Sequence, residues 1–215
     1  MSPSLAERLK TETRALHTAA ERSTFIGVLL RGQMARPAYC ALLRNLHAIY
    51  AALEPALARH ASHSMIAAVH EPALSRARSL EDDLQFLHGA GWRDAFKLQH
   101  ATRACVDRIE RIEVDDPGLL LAHAYVRYLG DLSGGQTLGR IVARSLDLSD
   151  GAGTRFYDFG DQAQTHARVQ AFRTGLGRVT CDAAGIDAMV DEAALSFRLH
   201  QQLFDELALA THLRT

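Results

Sequence analysis

Segment after segment of this chain repeats its apolar residues every three to four positions, and no stretch alternates apolar with polar for more than a few residues. That pattern admits helices and supplies nothing from which to build a sheet. Five prolines in 215 residues, with long runs rich in Ala, Leu, Arg and Glu, point the same way. The first helix is expected to start near Ser2 to Ser4 and run to about Glu21. Ser2 before Pro3 reads as one cap, and Ser4-x-x-Glu7 reads as a capping box. A short helix follows from Ser23 to Gly32, then a long one from Pro37 to about His60, where Pro55 predicts a kink or break. Further helices are expected over 72–88, 98–113, 119–146, 162–178 and 183–210, with one sustained turn-like stretch at Ser149–Asp161. Seven to eight helices without a sheet make one all-α domain covering 1–215.

The composition excludes several classes of function. With 47% hydrophobic residues the chain has the apolar surface that a core needs, so disorder is not expected. A net charge of −1 leaves no footprint for nucleic acid. Cys40, Cys105 and Cys181 are far apart and form no CxxC pair, which suits a reducing cytosol rather than a disulfide scaffold or a thiolate zinc site. The charged opening MSPSLAERLKTETRALH does not read as a signal peptide, and the closing ALATHLRT carries no lipidation motif. Nowhere is there the uncharged apolar run of roughly 18 residues that a membrane span requires. The expectation is a soluble cytoplasmic protein with no membrane partner.

Two places in the chain could carry chemistry. Lys10, Arg14, His17 and Glu21 are spaced four, three and four apart, so they share one stripe of a helix beside the core-facing Leu5, Leu9 and Leu16. A neutral imidazole at the edge of an apolar face can ligate a metal, most simply haem iron, and Glu21 one turn along can orient its second nitrogen. Lys10 lies roughly 10 Å away along the helix, within reach of carboxylates on such a ligand. The plainer alternative is a solvated face with His17 as a passenger.

The second place is LLLAHAYVRYLGDLSGGQTLGRIVARSL (119–146), where Gly130, Gly134, Gly135 and Gly139 interrupt a strong helical pattern. Each costs roughly 1 kcal/mol relative to alanine, so something is gained in return. Gly130 and Gly134 are one turn apart and strip the side chains from one face. A backbone or a flat ligand can then approach closely. Asp131 lies between them with Arg127 one turn earlier, placed to order water and deliver protons. Tight helix–helix packing with an Asp131–Arg127 salt bridge would account for the same residues. A phosphate loop is excluded, because there is no GxxxxGK[ST] and no preceding strand.

LKTETRALHTAAE (9–21) together with AHAYVRYLGDLSGGQ (122–136) resembles the haem oxygenase family, in its soluble bacterial branch similar to the animal enzymes. The resemblance continues through GQMARPAYCALLRNLHAIYAALEPAL (32–57), LEDDLQFLHGAGW (80–92) and FRLHQQLFDEL (197–207), so it covers nearly the whole chain in order. It implies that haem b lies between a proximal N-terminal helix and a glycine-kinked distal helix, as substrate and oxygen-activating cofactor at once. His17 would be the iron ligand and Glu21 its partner. Lys10, Tyr125 and Arg173 would face the propionates, joined by Arg14 if the stripe reading holds, with Ser133, Phe197 and Phe204 also touching haem. Gly130 and Gly134 would lie over the distal face, and Asp131 would anchor the proton-delivering waters with Arg127 and Tyr50. The implied reaction consumes O2 and electrons from a separate donor, a ferredoxin or an NAD(P)H-dependent reductase. It yields biliverdin, with the α isomer expected, together with CO and Fe2+. A biliverdin acceptor such as a photoreceptor is a further implied partner.

Three positions depart from the family pattern. Cys105 stands in place of a tyrosine, His200 in place of an asparagine, and Val169 in place of a propionate-binding lysine that Arg168 could replace. A haem carrier or store without turnover is the alternative function; it explains the His17 stripe but not the glycine face with Asp131. A di-iron protein would need Glu-x-x-His pairs, and the chain contains none. A hydrolase on a similar fold would need a nucleophilic cysteine, and nothing singles out Cys105 or Cys181.

Overall fold

The choice between the two helix starts falls on Ser4. Its hydroxyl accepts the Glu7 amide at 3.3 Å and the Glu7 carboxylate accepts the Ser4 N–H at 2.8 Å, closing the capping box. Ser2 lies outside the residues described by this computed structural model, 4–212.

The helix expected to reach Glu21 is divided into α1 (Leu5–Glu12) and α2 (Arg14–Glu21). The Thr13 hydroxyl donates to the Leu9 carbonyl at 2.7 Å, a side-chain bond that competes with the helical ladder and bends it. α3 (Thr24–Leu30) starts at a Ser23 cap and stops before Gly32, whose φ of +66° suits glycine. α4 (Arg36–Arg59) passes through Pro55 without a break, one of the two outcomes expected there. Pro55 and Ala51 are both exposed, so the carbonyl that loses its donor can face water.

The segment expected as one helix over 72–88 is a 3-10 turn followed by α6 (Ala77–Leu87), after a one-turn α5 (Ser64–Ala67). Arg76 causes the division. Its guanidinium donates back to the carbonyls of Ala73, Leu74 and Ser75, and its own N–H and that of Ala77 go to the Glu54 carboxylate. A one-turn α7 (Trp92–Ala95) precedes α8 (His100–Asp115), and α9 (Leu120–Ser145), α10 (Gln162–Arg178) and α11 (Ala183–Ala210) complete the fold. Among the described residues, eleven α-helices therefore replace the expected seven to eight. The excess comes from the Thr13 division and from single turns too short to show a period. No strand occurs among the described residues.

α9 runs unbroken through all four glycines and packs against α4, α8, α10 and α11, while α11 also covers α1, α2 and α3. One apolar cluster, including Leu9, Phe25, Leu43, Tyr50, Leu121 and Leu207, joins these helices. Among the described residues no helix is long and apolar enough to cross a membrane.

Candidate active site

α2 and α9 converge on one cleft of about 250 Å³ in which α11 forms the third wall. His17 and Glu21 line it from α2, Arg127, Gly130 and Gly134 from α9, and Phe197, His200 and Phe204 from α11. The His17 side chain is 48% exposed, and its Nδ1 lies 3.5 Å from Glu21 Oε2. That distance is a polar contact rather than a closed hydrogen bond, yet it favours the Nδ1–H tautomer and leaves Nε2 with a lone pair. Phe197 braces the imidazole edge-on, with ring centroids 5.9 Å apart, and Phe204 stacks on Phe25.

The glycines divide by face. A Cβ built on Gly130 or Gly134 would meet nothing within 4 Å. On Gly135 it would lie 3.5 Å from Tyr157 Cδ1, and on Gly139 3.0 Å from Tyr157 Cβ. The first pair opens onto the cleft. The second pair forms a slot for Tyr157, which the residues around the 3-10 turn at Arg155–Tyr157 carry to the far side of α9. Asp83 holds that turn by accepting the amides of Arg155 and Phe156.

Beside the open glycines, Arg127 Nη2 donates to both Asp131 oxygens at 2.8 and 2.9 Å, and the Tyr50 hydroxyl donates to Oδ2. Burial lifts the Asp131 carboxyl above the usual carboxylate range against the pull of Arg127 and Tyr50. Burial likewise pushes the Tyr50 phenol well up, and the neighbouring Asp131 adds to it. Burial opposes the Arg127 charge, but Asp131 and Tyr50 outweigh it and its pKa rises. The result is a partly buried carboxylate held by two donors, able to order water and pass protons; Arg127 lines the cleft, whereas Asp131 and Tyr50 do not.

Lys10, Tyr125 and Arg173 meet in a second cleft of about 360 Å³ with Leu129 and Leu176. This places two cations and a phenol beside an apolar wall, a fit for carboxylates on an otherwise apolar molecule. The Thr13 bend separates the expected stripe: Lys10 lines this cleft and His17 the other, while Arg14 is exposed and lines neither. Ser133 is also exposed on α9 and lines neither cleft. Arg168 does not stand in for the missing lysine near Val169. Its guanidinium donates to the Phe159 carbonyl and pairs with Glu71 at 3.5 Å. Val169 instead packs against the core. Cys105 is buried, and burial pushes its thiol up to about 12, which makes it inert as a nucleophile.

Sequence reasoning missed Ile26, Leu30, Val126 and Leu138, which line the first cleft, because apolar helical residues look alike whether they face a core or a ligand. It also missed Arg76 and Glu54 behind Tyr50 and Tyr128. No spacing marks two residues more than five turns of chain apart as partners.

An imidazole on one wall, a side-chain-free helical face on another and cations in a second recess that α9 also lines suit a flat, largely apolar iron complex bearing carboxylates, and so define a haem-binding helical protein. The model of the heme oxygenase family matches residues 3–206. Heme oxygenase 1 of Nostoc sp. is 38% identical over 207 residues, covering 96% of this chain and 87% of the relative. The crystal structure of heme oxygenase-2 from Synechocystis sp. in complex with heme and NO superposes with a TM-score of 0.91 at 34% identity, covering 97% of this chain and 86% of that one. The heme complex of heme oxygenase-1 from the same organism gives 0.89 at 36% identity, covering 98% and 96%. The chain belongs to the haem oxygenase family.

Proposed function

We infer that the protein degrades haem, opening the ring oxidatively at a meso carbon to biliverdin, CO and Fe2+. The cleft that sets His17 on α2 among the open Gly130 and Gly134 of α9 carries this reading. When bound, haem supplies both the iron that activates O2 and the carbon that is attacked. His17 Nε2 would hold the iron, oriented by Glu21 and the edge of Phe197. Lys10, Tyr125 and Arg173 would pair with the carboxylates and hold the substrate in one orientation, and the α isomer is the expected verdin. Gly130 and Gly134 would leave room for O2 and offer no side chain that would bond strongly to it. Asp131, held by Arg127 and Tyr50, orders the waters that deliver protons. A carrier without turnover has no use for that buried cluster.

The electrons come from a separate donor, a ferredoxin or an NAD(P)H-dependent reductase, for which Lys10, Arg14 and Arg173 present exposed positive charge. Three free cysteines and the absence of a membrane-length apolar helix among the described residues support a cytoplasmic setting. A photoreceptor is a fitting acceptor for the verdin.

His17→Ala is expected to abolish verdin formation, with added imidazole restoring part of it. Full turnover without either would remove His17 as the ligand. Asp131→Ala is expected to keep haem while verdin yield falls by about 10²-fold and peroxidase-like chemistry rises. An unchanged verdin yield, read by absorption after mixing with ascorbate and O2, would take Asp131 out of the mechanism.

A further inference from the structure

Beyond the His17 cleft α9 borders a wider basin of about 610 Å³. Leu30 of α3 and Thr137 of α9 line both, so the two spaces meet there. The rest of the basin includes Arg31 at the end of α3 and Arg140, Ile141 and Arg144 on the last turns of α9. No acidic residue and no histidine lines it. Arginines elsewhere, such as Arg59 and Arg108, are paired with carboxylates, but among the described residues none pairs with Arg31, Arg140 or Arg144. Arg31 directs Nε to the Gln33 amide oxygen at 3.0 Å, and Arg140 directs Nε to the Gln136 carbonyl at 3.2 Å, so both keep uncommitted donors. Arg140 and Arg144 are one turn apart, a like-charged spacing that weakens a helix. At the border of the two spaces Leu30 is 46% exposed, a large apolar side chain that the fold leaves in water.

We propose that this basin binds the released product, a linear tetrapyrrole with two carboxylates, and that Arg31, Arg140 and Arg144 hold those carboxylates while Leu30 and Ile141 cover its apolar body. The inference rests on the haem-degrading reading of the His17 cleft. Haem is flat and is gripped there through its iron. Ring opening and loss of the iron remove both features, so the product lacks what the cleft selects. It keeps its carboxylates and apolar edges, which the basin matches with guanidiniums beside aliphatic side chains. The basin supplies no imidazole, so it gives the iron complex no ligand and separates product from substrate. Arg140 and Arg144 stand about 6 Å apart along α9, and α3 packs on α9, so two carboxylates can each meet a guanidinium. Continuity with the cleft favours a molecule leaving it over an acidic protein that would approach only from outside.

The test titrates the haem-free protein with biliverdin and, separately, with hemin, each followed by visible absorption. In the Arg140→Gln/Arg144→Gln variant, biliverdin affinity is expected to fall about 10-fold and hemin affinity to stay within about twofold of the parent. Arg31→Gln, on the other helix, is expected to cost biliverdin about threefold. Added salt is expected to weaken biliverdin binding more in the parent than in the double variant, a difference that a merely structural role would not produce. With ascorbate as reductant, the first turnover is expected to keep the parent rate in both variants. Unchanged biliverdin affinity in both variants would overturn the proposal, as would hemin affinity falling as far as that of biliverdin. A defect confined to turnover driven by a ferredoxin, with biliverdin binding intact, would overturn it in favour of an acidic protein partner. Failure of the parent to bind hemin or to form verdin would overturn the haem reading instead.

Discussion

Gly130 and Gly134 face one side of α9, and Gly135 and Gly139 face another; at about 100° per residue Gly139 falls opposite Gly130. The same residue type serves opposite ends. The first pair has no neighbour within reach of an added methyl, so its absent side chains leave open space on the cleft. The second pair is filled by the ring and backbone of Tyr157, so its absent side chains are space already used by the fold. On α9 the unfilled pair opens onto the cleft, whereas the filled pair is a packing slot. Of the two readings offered by the sequence, close packing through small residues holds at Gly135 and Gly139, while Gly130 and Gly134 are left open on the cleft.

The sharpest way to break this contrast is to empty the slot. Tyr157→Ala is expected to lower the unfolding free energy by about 3–5 kcal/mol in urea titrations, because a buried aromatic is lost and a cavity is left. A loss below about 1 kcal/mol would mean that the second pair is not a slot. Overfilling it tests the same point from the other side. Gly139→Val is expected to cost about 1–3 kcal/mol, since its Cβ would meet the Tyr157 Cβ at 3.0 Å with two methyls still to place. The smallest effect has the opposite sign. Gly134→Ala is expected to stabilise the haem-free protein by about 0.5–1 kcal/mol through helix propensity, and to weaken hemin binding by visible titration. If that variant bound hemin as tightly as its parent, the first face would not be the one the ligand touches.

Much of the fold could be read from periodicity and caps. The Ser4 capping box, the Ser23 start and the long helices at 36–59, 120–145, 162–178 and 183–210 follow local signals that the structure retains. Of the kink or break expected at Pro55 the break does not occur, because a proline with its freed carbonyl facing water does not end a helix already held by packing on both sides. Thr13 misled in the other direction, since a hydroxyl bonding one turn back is invisible to a spacing argument. The site was legible unevenly. Arg127 and Asp131 are one helical turn apart, so their salt bridge follows from spacing, whereas the Tyr50 hydroxyl on Asp131 was reached only through the family resemblance. Arg168 shows the limit of that resemblance. Its position invited a role at the second cleft, but the Phe159 carbonyl and Glu71 engage it.

By itself the sequence determined the class of fold, the helix carrying His17, and the helix in which glycine and Asp131 alternate, because caps and periodicity are properties of neighbours along the chain. Only the tertiary structure decided which glycines stay open and which cleft receives Lys10 rather than Arg14. Each of these depends on what a distant segment places against a helix face, and that is set by packing between helices rather than by the spacing within any one of them.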